Sequence, residues 1–171
     1  MRLRQLDMAD ARPLLEWLRD KRINRWLDGD MDSLTISDVE SFICGSMILR
    51  GDEHRAITDD SGDFLGLISL KHLDKERARA ELGLGLALSA QGKGNASPAA
   101  EEMLELGFER LGLELIYGCV RRENTPALSF CRRFGLTELA EPPKGVVMPE
   151  NSEALRWFGI TKEQWRDKRR K

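Results

Sequence analysis

Residues 81–97 read ELGLGLALSAQGKGNAS, and the reading of this stretch decides the fold. From Ala80 to Leu88, leucines fill positions 82, 84, 86 and 88, while Glu81, Gly83, Gly85 and Ala87 alternate with them. That period of two is a half-buried strand with its leucine face in the core. Its opposite face is nearly bare. Glycine weakens a strand interior, so a bare strip is expected where another backbone or an extended ligand approaches closely. Past the strand, Gln91, Gly92, Lys93, Gly94, Asn95, Ala96 and Ser97 lead into a helical pattern that runs to about Leu111. A strand, a glycine-bearing loop and a helix start suit a phosphate, because the N–H groups of loop and first turn converge on one anion. Lys93 adds positive charge at the rim. The stretch is read as a pyrophosphate cradle; the plainer alternative is that Gly92 and Gly94 only make a tight turn.

The familiar phosphate motifs do not fit. A dinucleotide fingerprint needs Gly-x-Gly-x-x-Gly/Ala and an acidic residue about 20 positions on, after a second strand. Here Gly92 and Gly94 are followed by Ser97, and the ribose partner would fall near Gly112 to Glu114, at the end of the first helical pattern. A P-loop needs four residues between its glycines and a Lys-Ser/Thr pair, which is also absent.

Composition narrows the class. A chain of 171 residues is most simply one domain with one substantial core. A net charge of −2 argues against a nucleic-acid partner, whose binding domain is usually strongly basic. No apolar run reaches membrane-span length, and Met1-Arg2-Leu3-Arg4 lacks the apolar region of a signal peptide. Cys44, Cys119 and Cys131 show no Cys-x-x-Cys spacing, which fits free thiols in the cytoplasm. Asp28-Gly29-Asp30-Met31-Asp32 begins like a calcium loop, but Ser33 and Val39 stand where glycine and glutamate are needed; His54 and His72 lack partners at ligand spacing. No metal site is expected. The three aspartates are read as a solvated loop or as the mouth of a pocket for a cationic amine.

Outward from the central stretch, residues 1–6 alternate as a strand, and Leu14, Leu15 and Leu18 mark a helix starting near Asp10. A short helical stretch covers Ile23 to Leu27, and Asp38 to Leu49 forms another helix, capped by Ser37. A hairpin joins Ala56–Thr58 to Phe64–Leu70 through Asp60-Ser61-Gly62. Lys71 to Arg79 turns the chain, Leu113 to Val120 is a buried strand, and Asn124 opens a helix ending at Gly135. Strands are expected around Val146-Val147 and Leu155 to Gly159, and the basic tail from Lys162 to Lys171, with Trp165, reads as a frayed helix. Antiparallel strands passing into a strand–helix–strand–helix unit define a mixed α+β fold.

Gln91, Gly94 and Ala96 match Gln/Arg-x-x-Gly-x-Gly/Ala, and Asn124 to Leu136 reads NTPALSFCRRFGL, ending in an aromatic-Gly pair. With the order of elements, these residues resemble the GNAT acyl-CoA-dependent N-acyltransferases, specifically from about Arg77 to Leu136 and most similarly the branch containing ribosomal-protein alanine and spermidine N-acetyltransferases. The resemblance implies a twisted, mostly antiparallel sheet of six to seven strands flanked by about four helices. It implies acetyl-CoA as co-substrate, bound by Leu86, Ala87, Leu88, Gln91, Gly92, Lys93, Gly94, Asn95, Ala96, Ser97 and Asn124. It also implies an amine acceptor, either a protein N-terminus or a small amine such as a polyamine, amino sugar or aminoglycoside. A homodimer is compatible with it. The rival from another class is a GNAT-fold module that binds acyl-CoA without turnover.

A primary amine is mostly protonated at pH 7, so acyl transfer to it needs a proton acceptor, a donor to the thioester carbonyl and an acid for the thiolate. Glu81, on the bare face, is the candidate acceptor, directly or through a water; burial in an apolar groove would tune it. The plainer reading pairs it with Arg77 or Arg79. By the resemblance, the carbonyl donor is a backbone N–H near Leu86 to Leu88. Cys131 stands where the family commonly has its tyrosine acid; it is a candidate donor or a small buried packing residue. Asn124 is an N-cap, with a cofactor contact added by the resemblance. Tyr117 is expected to pack.

Overall fold

The computed structural model describes residues 1–49, 51–149 and 152–170. The strands are β1 (Arg2–Gln5), β2 (Glu53–Thr58), β3 (Phe64–Asp74), β4 (Arg79–Leu86), β5 (Leu115–Arg121), β6 (Thr137–Leu139) and β7 (Leu155–Thr161). The helices are α1 (Ala11–Arg19), α2 (Lys21–Asn24), α3 (Ile36–Ile48), α4 (Ala96–Glu105), α5 (Thr125–Phe134) and α6 (Lys162–Arg169). All seven strands form one sheet in the order β1-β2-β3-β4-β5-β7-β6. Every neighbouring pair is antiparallel except β4 and β5. The expected mixed fold is present, with more helices than the four foreseen.

The leucine face of β4 turns to the core as its alternation requires, with Leu86 buried and Leu82 and Leu84 partly so. Leu82, Leu84 and Leu86 pack with Ile68, Leu70 and Ile116 beneath Ala99, Ala100, Met103 and Leu104 of α4. Here α4 runs on through one π turn, Leu106–Arg110, which brings Phe108 into the same core. Across the sheet, Leu14 and Trp17 of α1 and Val39 and Ile43 of α3 form a second cluster with Ala56, Leu67 and Ala87. The glycine-bearing face of β4 therefore lies under the α1–α3 layer.

Several expectations give way. The cap of α3 is Thr35, not Ser37: its side chain accepts from the Asp38 N–H, and Asp38 bonds back to the Thr35 N–H in a capping box. Strand β3 runs on past Leu70 to Asp74, so residues 71–74 belong to a hairpin with β4 rather than to a turn. Val146-Val147 forms no strand; the edge strand is β6, and Val147 is exposed. The tail is not frayed. Thr161 and Gln164 form a capping box for α6, and Trp165 is fully buried, its Nε1 donating to Glu101 Oε1 at 2.8 Å. Lys171 lies outside the described residues. Among those residues no helix is long and apolar enough to cross a membrane.

Candidate active site

The parallel pair at the centre of the sheet loses its pairing before either strand ends. Pairing between β4 and β5 covers Arg79↔Leu115, Ala80↔Ile116 and Glu81↔Tyr117, and then stops. Along its other edge β4 stays paired with β3 as far as Leu86↔Gly66. The Ala87 N–H donates to the Leu65 carbonyl at 2.7 Å. In an antiparallel ladder bonded pairs alternate, so residues 81, 83, 85 and 87 turn their backbone groups to β3 while Leu82, Leu84 and Leu86 turn theirs towards β5. Beyond the last paired residue, Leu84 and Leu86 present N–H groups to the gap. Ala87, one of the three foreseen carbonyl donors, has already spent its N–H on β3.

The gap leads to the glycine loop. After a 3₁₀ turn at Leu88–Ala90, Gly92 and Gly94 adopt φ of +72° and +80°, and a Cβ at either would meet nothing within 4 Å. Their requirement is conformational: left-handed backbone is strained for any residue with a Cβ. Gln91 Nε2 donates to the Leu86 carbonyl and Asn95 Nδ2 to the Ala90 carbonyl, both at 3.0 Å. These two amides brace the loop. Among the described residues no side chain caps α4, which leaves the Ala96 and Ser97 N–H groups open beside exposed Lys93.

Glu81 sits where that pairing ends, in the last row where β3, β4 and β5 all pair (Lys71↔Glu81↔Tyr117). Its surroundings are not the apolar groove expected. Lys71 Nζ lies 3.3 Å from Oε1 and His72 Nδ1 3.0 Å from Oε2, and its side chain is 13% exposed. Neither expected arginine is its partner: Arg77 and Arg79 pair with Asp74. The glycine strip is also filled by protein. A Cβ at Gly85 would lie 2.5 Å from Trp17 Cζ2, and one at Gly83 3.3 Å from Lys71 Cε. Trp17 Nε1 is the one buried side-chain polar atom without a hydrogen-bond partner among the described residues.

Cys131 lies across the sheet from Glu81, buried on α5 with Leu128 and Phe158. Burial pushes its thiol up to about 11, so it is protonated at neutral pH. Asn124 caps α5, its Oδ1 accepting from the Ala127 N–H at 3.2 Å. Tyr117 is buried beside Trp157; burial and then Glu81 raise its pKa. The aspartates of the loop are engaged by the protein itself: Asp28 pairs with Arg121 of β5 at 2.7 Å, Asp32 with Lys21 and Asn24 of α2, and Asp30 holds the Ser33 N–H. Sequence reading missed Lys71 and His72. A hairpin centred on Glu76 would have set residue 71 opposite 81, but no Gly or Asn-Gly turn marks it.

A parallel strand pair that splays beside a carboxylate, then a left-handed glycine loop feeding an uncapped helix, defines an acyltransferase of the acyl-CoA-dependent class. The chain belongs to the GNAT family: the family model described as Acetyltransferase (GNAT) domain matches residues 1–137. It is 27% identical over 156 residues to an uncharacterized N-acetyltransferase p20 of Bacillus licheniformis, covering 84% of this chain and 85% of that protein. It is 32% identical over 85 residues to the spermidine N(1)-acetyltransferase of Escherichia coli K12, a match spanning 50% of this chain and 46% of that enzyme. The fold superposes on a Vibrio cholerae spermidine N-acetyltransferase crystallised with CoA and spermine, with a TM-score of 0.83, 20% identity and 96% of each chain covered. The protein is therefore an N-acyltransferase enzyme, and the reading as a silent binding module falls away.

Proposed function

We propose that residues 1–171 form one domain that moves the acetyl group of acetyl-CoA to a primary amine by direct attack, with neither a metal nor a covalent enzyme intermediate. In this reading the diphosphate rests on the N–H groups of residues 92–97. The pantetheine arm takes the place of β5 beside Leu84 and Leu86, and an open N–H there bonds the thioester oxygen as charge develops on it. Glu81 drives removal of the ammonium proton, directly or through a group bonded to it. The leaving thiolate needs a proton. Cys131 carries one, and its apolar packing argues for a water between it and the sulfur. Free thiols at Cys44, Cys119 and Cys131 suit a reducing cytoplasm.

The observation that carries this reading is the end of β4–β5 pairing at Glu81↔Tyr117, where backbone donors open next to a carboxylate. Among acceptors, spermidine-acetylating relatives favour a small polycationic amine over an amino sugar, an aminoglycoside or a protein N-terminus. The test is thiol release from acetyl-CoA with a panel of all four. At least one should give turnover, and Glu81→Gln should lower kcat with it by about 100-fold or more while CoA affinity stays within about twofold. Silence with every amine sinks the reading; an undiminished Glu81→Gln enzyme removes the role of that carboxylate.

A further inference from the structure

The Lys71–Glu81 hairpin carries a local backbone distortion beside the carboxylate. The β3–β4 register slips between Lys71 and Asp74, and inside the slip His72 has a φ of +52°. That is left-handed backbone on a residue with a Cβ, a strained conformation that persists where the surroundings hold it. Here the Leu73 N–H donates to Asp52 Oδ1 at 3.2 Å and pins the bulge from β2's side. The result is that the imidazole is laid against Glu81, with Nδ1 3.0 Å from Oε2. A carboxylate oxygen accepts, so Nδ1 carries the hydrogen, and in the neutral ring Nε2 keeps its lone pair. Among the described residues no hydrogen bond engages Nε2, and the His72 side chain is 57% exposed.

Glu81 itself is poorly placed to meet an ammonium ion. One of its oxygens faces the Lys71 ammonium at 3.3 Å and the other His72 Nδ1 at 3.0 Å, so a second cation approaching would meet the charge of Lys71. We infer that His72 is the base that touches the amine, through Nε2, and that Glu81 is the positioning residue that fixes its tautomer and direction. This rests on the acetyl-transfer reading above and deepens it. The chemistry balances as follows. Nε2 takes one proton from the substrate ammonium, giving an imidazolium held by Glu81. The freed nitrogen lone pair forms the C–N bond at the thioester carbon, and the C–S bond breaks with its electron pair leaving on sulfur. The second nitrogen proton ends on that thiolate, and the imidazolium returns the first to water. An imidazole held through one nitrogen by a carboxylate and open at the other is an oriented general base.

His72→Gly makes a clean test. Glycine takes positive φ without strain, so the variant keeps its fold and its thermal midpoint is unchanged or higher. With the best acceptor of the panel its kcat should fall about 100-fold, with the KM for acetyl-CoA within about twofold, and added imidazole should restore at least a tenth of the wild-type rate by filling the vacated space. His72→Asn, with a side chain that also tolerates left-handed backbone, should lose as much. A His72→Gly enzyme within twofold of wild type, or one whose loss imidazole does not repair, overturns the assignment to His72 alone. A wild-type chain inert to every amine overturns the transfer reading and this inference with it.

Discussion

Gly83 and Gly85 stand two residues apart on one face of β4 and answer to different neighbours. At Gly85 a methyl group would collide with the edge of the Trp17 indole at 2.5 Å, a ring locked among Leu14, Val39 and Ile43. At Gly83 it would meet the flexible Lys71 chain at 3.3 Å, which can swing into solvent. Gly85→Ala should therefore cost about 1–3 kcal/mol through overpacking, while Gly83→Ala should be near neutral. Urea unfolding of the two variants measures the contrast; equal midpoints would show that Trp17 does not fix Gly85. Alternation alone marked this strip as bare but not what occupies it. The indole comes from a helix some 70 residues earlier in the chain, and no local pattern ties the two together. Cys131 shows the same division: its place on the apolar face of α5 follows from helical spacing, whereas the thiol's rise to about 11 comes from burial, in a cluster that Phe158 of β7 shares.

At the scale of elements, the glycine loop was the most legible part of the chain. Its two glycines, its strand before and its helix after are local features, and each has the conformation its residues prescribe. Gly94→Val places a β-branched residue at a φ of +80°. With nothing within 4 Å of the new Cβ, the penalty is backbone strain of about 1–2 kcal/mol, which the loop relieves by shifting its N–H groups. Losing one charge-assisted hydrogen bond to a phosphate costs about 1.5 kcal/mol or more, so the Kd for CoA should weaken about tenfold or beyond while the thermal midpoint moves only slightly. Calorimetric titration checks this, and unchanged affinity would count against the cradle. The β3–β4 hairpin was far less legible, since its turn at residues 75–78 is charged and lacks glycine. That is why Lys71 and His72 escaped a reading that found Glu81.

For the whole molecule, the sheet carries apolar clusters on both faces, and ion pairs tie its edge to the helical layer. Arg4 of β1 donates through both terminal nitrogens to Asp10 at 2.7 Å, and the Asp7 N–H adds a third bond to that carboxylate. Burial pushes the Asp10 carboxyl up, but these hydrogen bonds and the Arg4 charge outweigh it and hold the pKa below its ordinary value. A depressed folded-state pKa contributes stability above the unfolded value of about 3.9, and that contribution is lost as pH falls through the folded value. Asp10→Asn should thus cost about 2 kcal/mol at pH 7, less than the roughly 3–5 kcal/mol of a fully buried pair because Arg4 is partly exposed. The deficit should vanish progressively below about pH 4. Thermal melts of both proteins across pH 3–7 test this, and a gap independent of pH would contradict it.

The chain's own order of residues determined the strand alternation, the glycine turn, the helix caps at Asn124 and Thr161 and the family signature, because each depends on neighbours within a few positions. The tertiary structure decided where β5 leaves β4, what lies on the glycine strip, and which groups hold Glu81. Those outcomes depend on the register of strands and helices far apart in sequence, where a slip of a single residue would turn every side chain to the other face.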